Sequence, residues 1–539
     1  MKFIGKHVFL CVLLLSVGNS YAAKKTFTRD YTYQASEMDS KVSSRTNATA
    51  EMRSILLREV GTFIRAEQLT TVQDNTQDYS EKIEAITAGI VEMKVLDEQW
   101  NGETYYIKAE MTIDPDDVQK RIAEVLNDKQ KTKDLEESHK KVQEAADEIA
   151  KLKNQLAELA EERDASKKLL EEGRLKDAYQ KEVGKLLVEE YITNGNNAYA
   201  NKQYQPASEY YRKAIEIDPN NATIYFNVGL AEHYQKNYAK AIGEYQKAID
   251  IKPKYVEAYN NMGNAYLEQD NYKDAIDCYQ KALEIDPNDA VTYNNMGVAH
   301  KGQRNYAKAI SSFEKTIDIS PNYLEAYYNM GNVYREQKNY AKAIANYKKA
   351  IAVNANYANA YYNMGVVYSA QNDYAQALSC YQYATDINPK YANAYYNMAN
   401  IYREQKKYAQ AIEYYQKAIA LDANLAAAHH NLGIVYYSQE NYAQAIGCYQ
   451  KAIAIDPRNT KAYFDMGVIY GKQENYREAI NCYQKVIAID PKYASAYVNM
   501  GAAYSNSGDS EQFLICYQKA AQLGREDVQK WLKDNGYEW

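Results

Sequence analysis

The sequence predicts a mainly α protein: an α-solenoid, a right-handed superhelix of helix pairs, preceded by a small α+β domain and a coiled-coil helix. Three observations point to it. Pro219, Pro253, Pro287 and Pro321 stand 34 residues apart, and the register continues through Ala355, Pro389, Ala423, Pro457 and Pro491. Tyrosine supplies 56 residues against 8 Phe and 3 Trp while proline falls to 9, a skew that a repeated motif produces. The 539 residues include 64 Lys+Arg against 71 Asp+Glu, a net charge of -7. No nucleic-acid partner is expected of such a chain, whose length suits stacked repeats better than one large core.

Lys2 and Lys6 precede the apolar run Val8 to Val17, and Ser20 and Ala22 are small where a signal peptidase reads, so residues 1–22 are expected to be a signal peptide. The run is too short for a bilayer of roughly 30 Å, and no membrane span is expected elsewhere. Leu10 is bulky and Cys11 lies inside the run, which argues against a lipoprotein anchor. Loss of Lys2 and Lys6 leaves 62 basic residues against 71 acidic, or -9. The expected location is periplasmic or secreted.

Residues 23–120 read as the α+β domain. From Asn47 the residues Ala48, Met52, Ile55, Leu56, Val60, Phe63 and Ile64 form one helical stripe. Its partner is a hairpin, in which Val91, Met93 and Val95 alternate with polar residues, Asn101 and Gly102 turn, and Tyr105, Ile107, Ala109, Met111 and Ile113 alternate again. Asp114 then caps a helix that starts at Pro115. The residues Ser43, Ser44 and Arg45, the stretch Leu57 to Ile64 and the hairpin entry Ala88 to Val91 resemble the N-terminal domain of flagellar assembly protein T and related bacterial envelope lipoproteins. That resemblance implies an envelope setting and no reaction; an adaptor domain of no particular pathway is the other reading.

Residues 121–187 read as a long helix. Leu135, Val142, Ile149 and Leu156 are seven apart, and Ala145, Leu152 and Leu159 occupy the intervening core positions. The stripe could make the protein a homo-oligomer through residues 135–160, or fold back on the array, since Ser138 and Ala145 are poor core residues. Gly173 and Gly184 are expected to interrupt the helix before the repeats.

With each proline at position 32, ten units fill 188–527. Position 8 is Gly195, Gly229, Gly263, Gly297, Gly331, Gly365, Gly433, Gly467 and Gly501, with Ala399 the exception; alanine recurs at position 20 and Tyr or Phe at position 24. Positions 4, 7, 8 and 11 share one helical face and 20, 24 and 27 another, so each unit is a pair of antiparallel helices, A and B, that closes only by stacking. The small residues at 8 and 20 should let the two backbones approach. This pattern resembles the tetratricopeptide repeat (TPR), which implies a protein-binding solenoid. Val528, Trp531 and Leu532 are expected to form a capping helix over 528–539.

Few residues suggest chemistry. Methionines recur at position 7 and tyrosines at position 17 as packing residues, and His429 and His430 replace aromatics at positions 4 and 5. Neither metal nor other cofactor is expected, because no His, Cys and carboxylate cluster has ligand spacing. Cys278, Cys380, Cys448, Cys482 and Cys516 all hold position 23. Equivalent helices stand roughly 8–10 Å apart, beyond disulfide reach, so the thiols should be free. The repeats are similar to the TPR arm of O-GlcNAc transferases, but the residues after the last unit cannot hold a catalytic domain, so no enzyme is expected.

The exposed face of helix A remains. Position 6 is Asn227, Asn261, Asn295, Asn329, Asn363, Asn397 and Asn431, then Asp465 and Asn499; position 5 includes Tyr328, Tyr362 and Tyr396. An Asn amide both donates and accepts, so such a ladder could hold a peptide backbone in a concave groove, as the resemblance to O-GlcNAc transferase arms implies; asparagine there as a plain repeat feature is the competing reading. Lysine is absent from position 5, so the carboxylate clamp of chaperone-binding TPRs is not supported. The expected function is a non-catalytic exported scaffold that binds protein or peptide partners. The alternatives are an envelope or flagellar assembly factor acting through residues 23–120, or a transferase-type arm without its enzyme.

Overall fold

The computed structural model describes residues 24–36, 39–66, 85–88, 91–127, 129–159 and 165–539. The expected signal peptide, residues 1–22, lies outside the described residues, as do Gly89 and Ile90 of the hairpin entry. The chain divides into two compact units, one ending at Pro287 and one beginning at Asn288.

The first unit opens with β1 (Lys25–Gln34), α1 (Lys41–Ala66), β2 (Met93–Trp100) and β3 (Thr104–Ile113). The sheet order is β1-β3-β2, both neighbours antiparallel to β3. Strand alternation buries Tyr105, Ile107, Ala109, Met111 and Ile113, and these pack on Ala48, Met52, Leu56, Val60 and Ile64 of α1. The hairpin and its helix are those the periodicity predicts. Asn101 Oδ1 accepts the N–H groups of Glu103 at 2.9 Å and Thr104 at 2.7 Å, and Gly102 takes φ 99. Two details differ. Val91 precedes β2 rather than joining it, and a register shift between Val95 and Asp97 turns Leu96 outward. β1 is additional, its aromatic alternation diluted by Thr28, Arg29 and Asp30.

After α2 (Pro115–Asn127) come α3 (Lys129–Leu159) and α4 (Ala165–Ala200). Here the heptad stripe finds a partner within the chain. Val142, Ala145, Ile149, Leu152, Leu156 and Leu159 of α3 pack with Leu175, Tyr179, Val183 and Leu186 of α4 in the same chain. The stripe within 135–160 is therefore packed on a helix of the same chain, the alternative to an oligomer seam. The expected glycine interruption is corrected. Gly173 and Gly184 lie inside α4, which runs unbroken through residue 188 and supplies the A helix of repeat 1. Packing along α4 outweighs a glycine penalty of about 1 kcal/mol each.

A buried carboxylate joins these helices to the sheet domain. Asp39 accepts from the Ser36 and Ser43 hydroxyls, from Asn47 Nδ2 at 3.3 Å and from the Tyr179 hydroxyl, with Lys153 Nζ 3.3 Å away. Burial lowers the Lys153 ammonium to about 8. Nothing in the spacing of these residues forecasts their meeting.

Ten helix pairs follow the predicted period, repeats 1–3 ending the first unit and repeats 4–10 making up the second. Each position-8 glycine faces the ring at position 24 of its own repeat, and a Cβ there would stand 2.4–2.8 Å from a ring carbon. The glycine thus makes room for an aromatic ring rather than for the other backbone. Repeat 7 carries Ala399 at this place, and both it and Tyr415 are fully buried. The turn from helix A to helix B passes through position 15 in a left-handed conformation, φ 56 to 63 at nine residues from Lys202 to Glu474, and at Gly508 in repeat 10. The final helix, Glu526–Asp534, buries Val528 and Leu532 against Ala520 and Ala521, while Trp531 rests edge-on against Phe513 and stays part-exposed.

Candidate functional site

In the second unit the A helices of repeats 5 to 8 are Leu324–Glu336, Ala358–Ala370, Ala392–Glu404 and Ala426–Ser438. Positions 3, 7, 8 and 10 turn inward as small or apolar residues, which leaves 5, 6, 9 and 12 along the other side of each helix. The predicted asparagines and tyrosines do meet, as rungs between consecutive A helices. Asn363 Nδ2 donates to the Tyr328 hydroxyl at 2.8 Å, Asn397 Nδ2 to Tyr362 at 3.1 Å, and Asn431 Nδ2 to Tyr396 at 3.1 Å. Asn329 Nδ2 reaches Asn294 Oδ1 at 3.2 Å instead, because repeat 4 has asparagine at position 5. In repeats 5 to 8 each position-6 amide is thereby tied to the preceding repeat, a use that the sequence does not reveal.

The next rung changes both partners at once. His430 Nε2 lies 2.9 Å from Asp465 Oδ2, the same two positions one repeat further along. Two departures 35 residues apart, each unremarkable alone, were the available signal for this pair. In the first unit Phe226 offers no acceptor at position 5, and Asn261 Nδ2 turns back to the Glu257 carbonyl at 2.8 Å. Asn227 is half-buried; Asn295 accepts from Asn294 Nδ2 at a long 3.5 Å.

Position 9 escapes sequence reasoning and proves central. Asn332 Oδ1 accepts from the Tyr347 hydroxyl at 2.8 Å and from Asn363 at 3.3 Å; Asn400 Oδ1 accepts from Tyr415 at 2.6 Å and from Asn431 at 2.9 Å. Asn363 Oδ1 also accepts from Arg335 at 2.9 Å. Both amide protons of Asn363 and of Asn431 are thus committed, whereas Asn329 and Asn397 each spend one in these bonds. Asn196 and Asn264 bind Tyr211 and Tyr279 likewise at 2.7 Å, so repeats 1, 3, 5 and 7 carry the asparagine while repeats 2, 4, 6 and 8 carry Leu230, Val298, Val366 and Ile434, and Val468 ends the alternation in repeat 9. Across repeats 1 to 8 a period of 68 is superimposed on the period of 34. Alternation at a single position is what could have shown it.

The position-5 rings are further packed against position 34. Tyr328 meets Tyr357 edge-on at 5.2 Å and Tyr362 stacks on Tyr391 at 4.8 Å, and the Tyr391 hydroxyl donates to Asn359 at 3.0 Å. These rings stay half-buried, so their edges reach solvent. Burial raises the Tyr362 hydroxyl pKa, against the Asn397 hydrogen bond, so the phenol is neutral and remains a proton donor.

The remaining candidates are packing residues. Met262, Met330, Met364, Met398, Met466 and Met500 are buried. All five cysteines among the described residues are free, and burial pushes the Cys278 and Cys482 thiols up to about 12, where they are poor nucleophiles. Among the described residues no group of His, Cys, Asp and Glu is placed to hold a metal, and no helix is long and apolar enough to cross a membrane.

Stacked 34-residue helix pairs with glycine at 8 and an aromatic at 24 define an α-solenoid of the protein-binding class. Family models described as tetratricopeptide repeat match 256–289, 278–345 and 482–512, and 356–492 in overlapping pairs; models described as TPR repeat match 195–270 and 331–372. Together they cover 195–512, more than half of the chain, which belongs to the tetratricopeptide-repeat family. Among solved structures it is similar to YrrB, a TPR protein with an unusual peptide-binding site, at 26% identity over 35% of this chain and 97% of that one, TM-score 0.32. It is similar to MamA at 28% identity over 30% and 95%, TM-score 0.28. The C-terminal part of a TPR repeat-containing protein from Cytophaga hutchinsonii shares 21% over 44% and 97%, TM-score 0.37. No curated protein matches. The family matches lie outside residues 23–120, and the resemblance of that domain to flagellar assembly protein T stays an expectation.

Proposed function

We propose that this tetratricopeptide-repeat protein is a non-catalytic adaptor outside the cytoplasm that binds extended segments of partner proteins along its A helices. Its binding face would be formed by Tyr328, Tyr362 and Tyr396 with Asn329, Asn363, Asn397 and Asn431, and in the flanking repeats by Asn227, Asn261 and Asn295. One observation carries the reading: the successive A helices of repeats 5 to 7 present a row of tyrosines, Tyr328, Tyr362 and Tyr396, that pack against the core on one side and stay half-buried, with ring edges open to solvent. Export rests on Lys2, Lys6 and the apolar run before Ala22. The amides act differently from a free peptide-gripping ladder. They fix the tyrosines, and the rings supply most of the contact area.

A photo-crosslinking residue at position 362 should capture a specific partner from envelope fractions, and the same residue at Tyr383, on helix B, should not. Equal capture at both positions would remove the face from consideration. Capture only by residues 23–120 would favour the assembly-factor reading.

A further inference from the structure

We propose that the face formed by repeats 5 to 7 selects a proline-rich segment in the polyproline II conformation; this rests on the adaptor reading above and names its ligand.

Hydrogen-bond inventory is the first argument. In the rungs Tyr328–Asn363, Tyr362–Asn397 and Tyr396–Asn431 the tyrosine oxygen is the acceptor, which leaves each O–H proton to donate. The face therefore offers three tyrosine hydroxyl donors, while the amide protons of Asn363 and Asn431 are already spent and the Asn363 Oδ1 acceptor is taken by Arg335. A β-strand ligand brings an N–H for every carbonyl and needs acceptors here. A proline-rich segment brings carbonyls and few N–H groups, matching hydroxyl donors.

Spacing is the second. Packed helices stand roughly 8–10 Å apart. A polyproline II helix rises about 3.1 Å per residue with three residues per turn, or about 9 Å per turn, so one side of it can meet one tyrosine rung per repeat. Same-side residues of a β-strand recur about every 6.6 Å and fall out of step within two rungs.

Charge is the third. Positions 5, 6, 9 and 34 of repeats 5 to 7 hold no ionised group, and position 12 on the same side adds Arg335, which donates to Asn363, and Arg403, so the face carries no carboxylate at these positions. A segment rich in carbonyls and free of cations complements that floor, and aromatic-lined faces of this kind hold proline rings well.

The test uses the full chain and three labelled neutral peptides of equal length: one with proline at two of every three positions, one of Gly and Ser, one of Val and Thr. Anisotropy titration should give the proline peptide an affinity at least about tenfold above the other two. Tyr328→Ala, Tyr362→Ala and Tyr396→Ala together should remove about tenfold or more of that affinity, and Tyr383→Ala none. The three Tyr→Phe changes keep the rings and delete the donors; they should lose about fivefold and serve if the alanine variant fails to fold. Tighter binding of the Val/Thr peptide, lost in the same variants, would overturn the polyproline assignment and keep the adaptor reading. Failure of all three peptides would also overturn the assignment, and crosslinking at position 362 would then decide the adaptor reading separately.

Discussion

Repeats 5 and 7 and repeats 6 and 8 have the same helices and the same buried rings, yet they are wired differently. In the odd pair Asn332 and Asn400 receive a buried tyrosine hydroxyl from within the repeat and an amide from the next one. In the even pair Val366 and Ile434 hold that position, and the link onward is a single bond, Tyr362 to Asn397 or His430 to Asp465. Packing does not need the polar network, since the even repeats stack without it. What the network adds is a fixed orientation for Tyr328 and Tyr396, every second rung of the face, because a buried amide with all its groups paired has few alternative positions.

The largest way to break this comparison is to convert an odd repeat into an even one. Asn332→Val should cost about 2–4 kcal/mol, since it strands the fully buried Tyr347 hydroxyl and removes an acceptor from Asn363. Denaturant unfolding, with hydrogen exchange across repeat 5, would measure it. A cost under about 1 kcal/mol would reduce the network to an accessory of packing.

A sharper test deletes hydroxyls alone. Tyr347→Phe should lose about 1 kcal/mol because Asn332 loses a partner. Tyr245→Phe, in repeat 2, should lose nothing and could gain, since the buried Tyr245 hydroxyl has no hydrogen-bond partner and Phe313 already fills the same position in repeat 4. Equal losses in the two variants would contradict the odd and even distinction.

The smallest effect lies in the turns, where odd and even repeats should behave alike. Lys338→Gly and Asn372→Gly each relieve a left-handed residue, φ 58 and φ 60, and should raise stability by up to about 1 kcal/mol, less for asparagine, which tolerates that region better. A melting shift confined to one parity would mean that the turns, too, are differentiated.

The period, the helix pairs, the recurrence of the position-8 glycine and the hairpin of the first domain were all legible in the sequence, but not that this glycine makes room for a ring. Each depends on contacts between residues close in the chain or at a fixed spacing. The strand β1 was harder to see, because Arg29 and Asp30 blur its alternation. The face was half legible: Asn363 and Tyr362 could be placed on one side of a helix, but not the bond that ties each to the neighbouring repeat.

Sequence by itself determined that 188–527 is an array of helix pairs, because a 34-residue period of small and aromatic residues has no other economical way to bury its stripes. Tertiary structure decided where each stripe goes. The heptads of α3 find α4 of the same chain, Asp39 finds Tyr179 across 140 residues, and the asparagine ladder turns from free amides into rungs. Apolar periodicity states that a face must be covered and leaves its cover unnamed. A buried polar group pairs with whatever the fold brings within about 3 Å, and that distance exists only once the chain has folded.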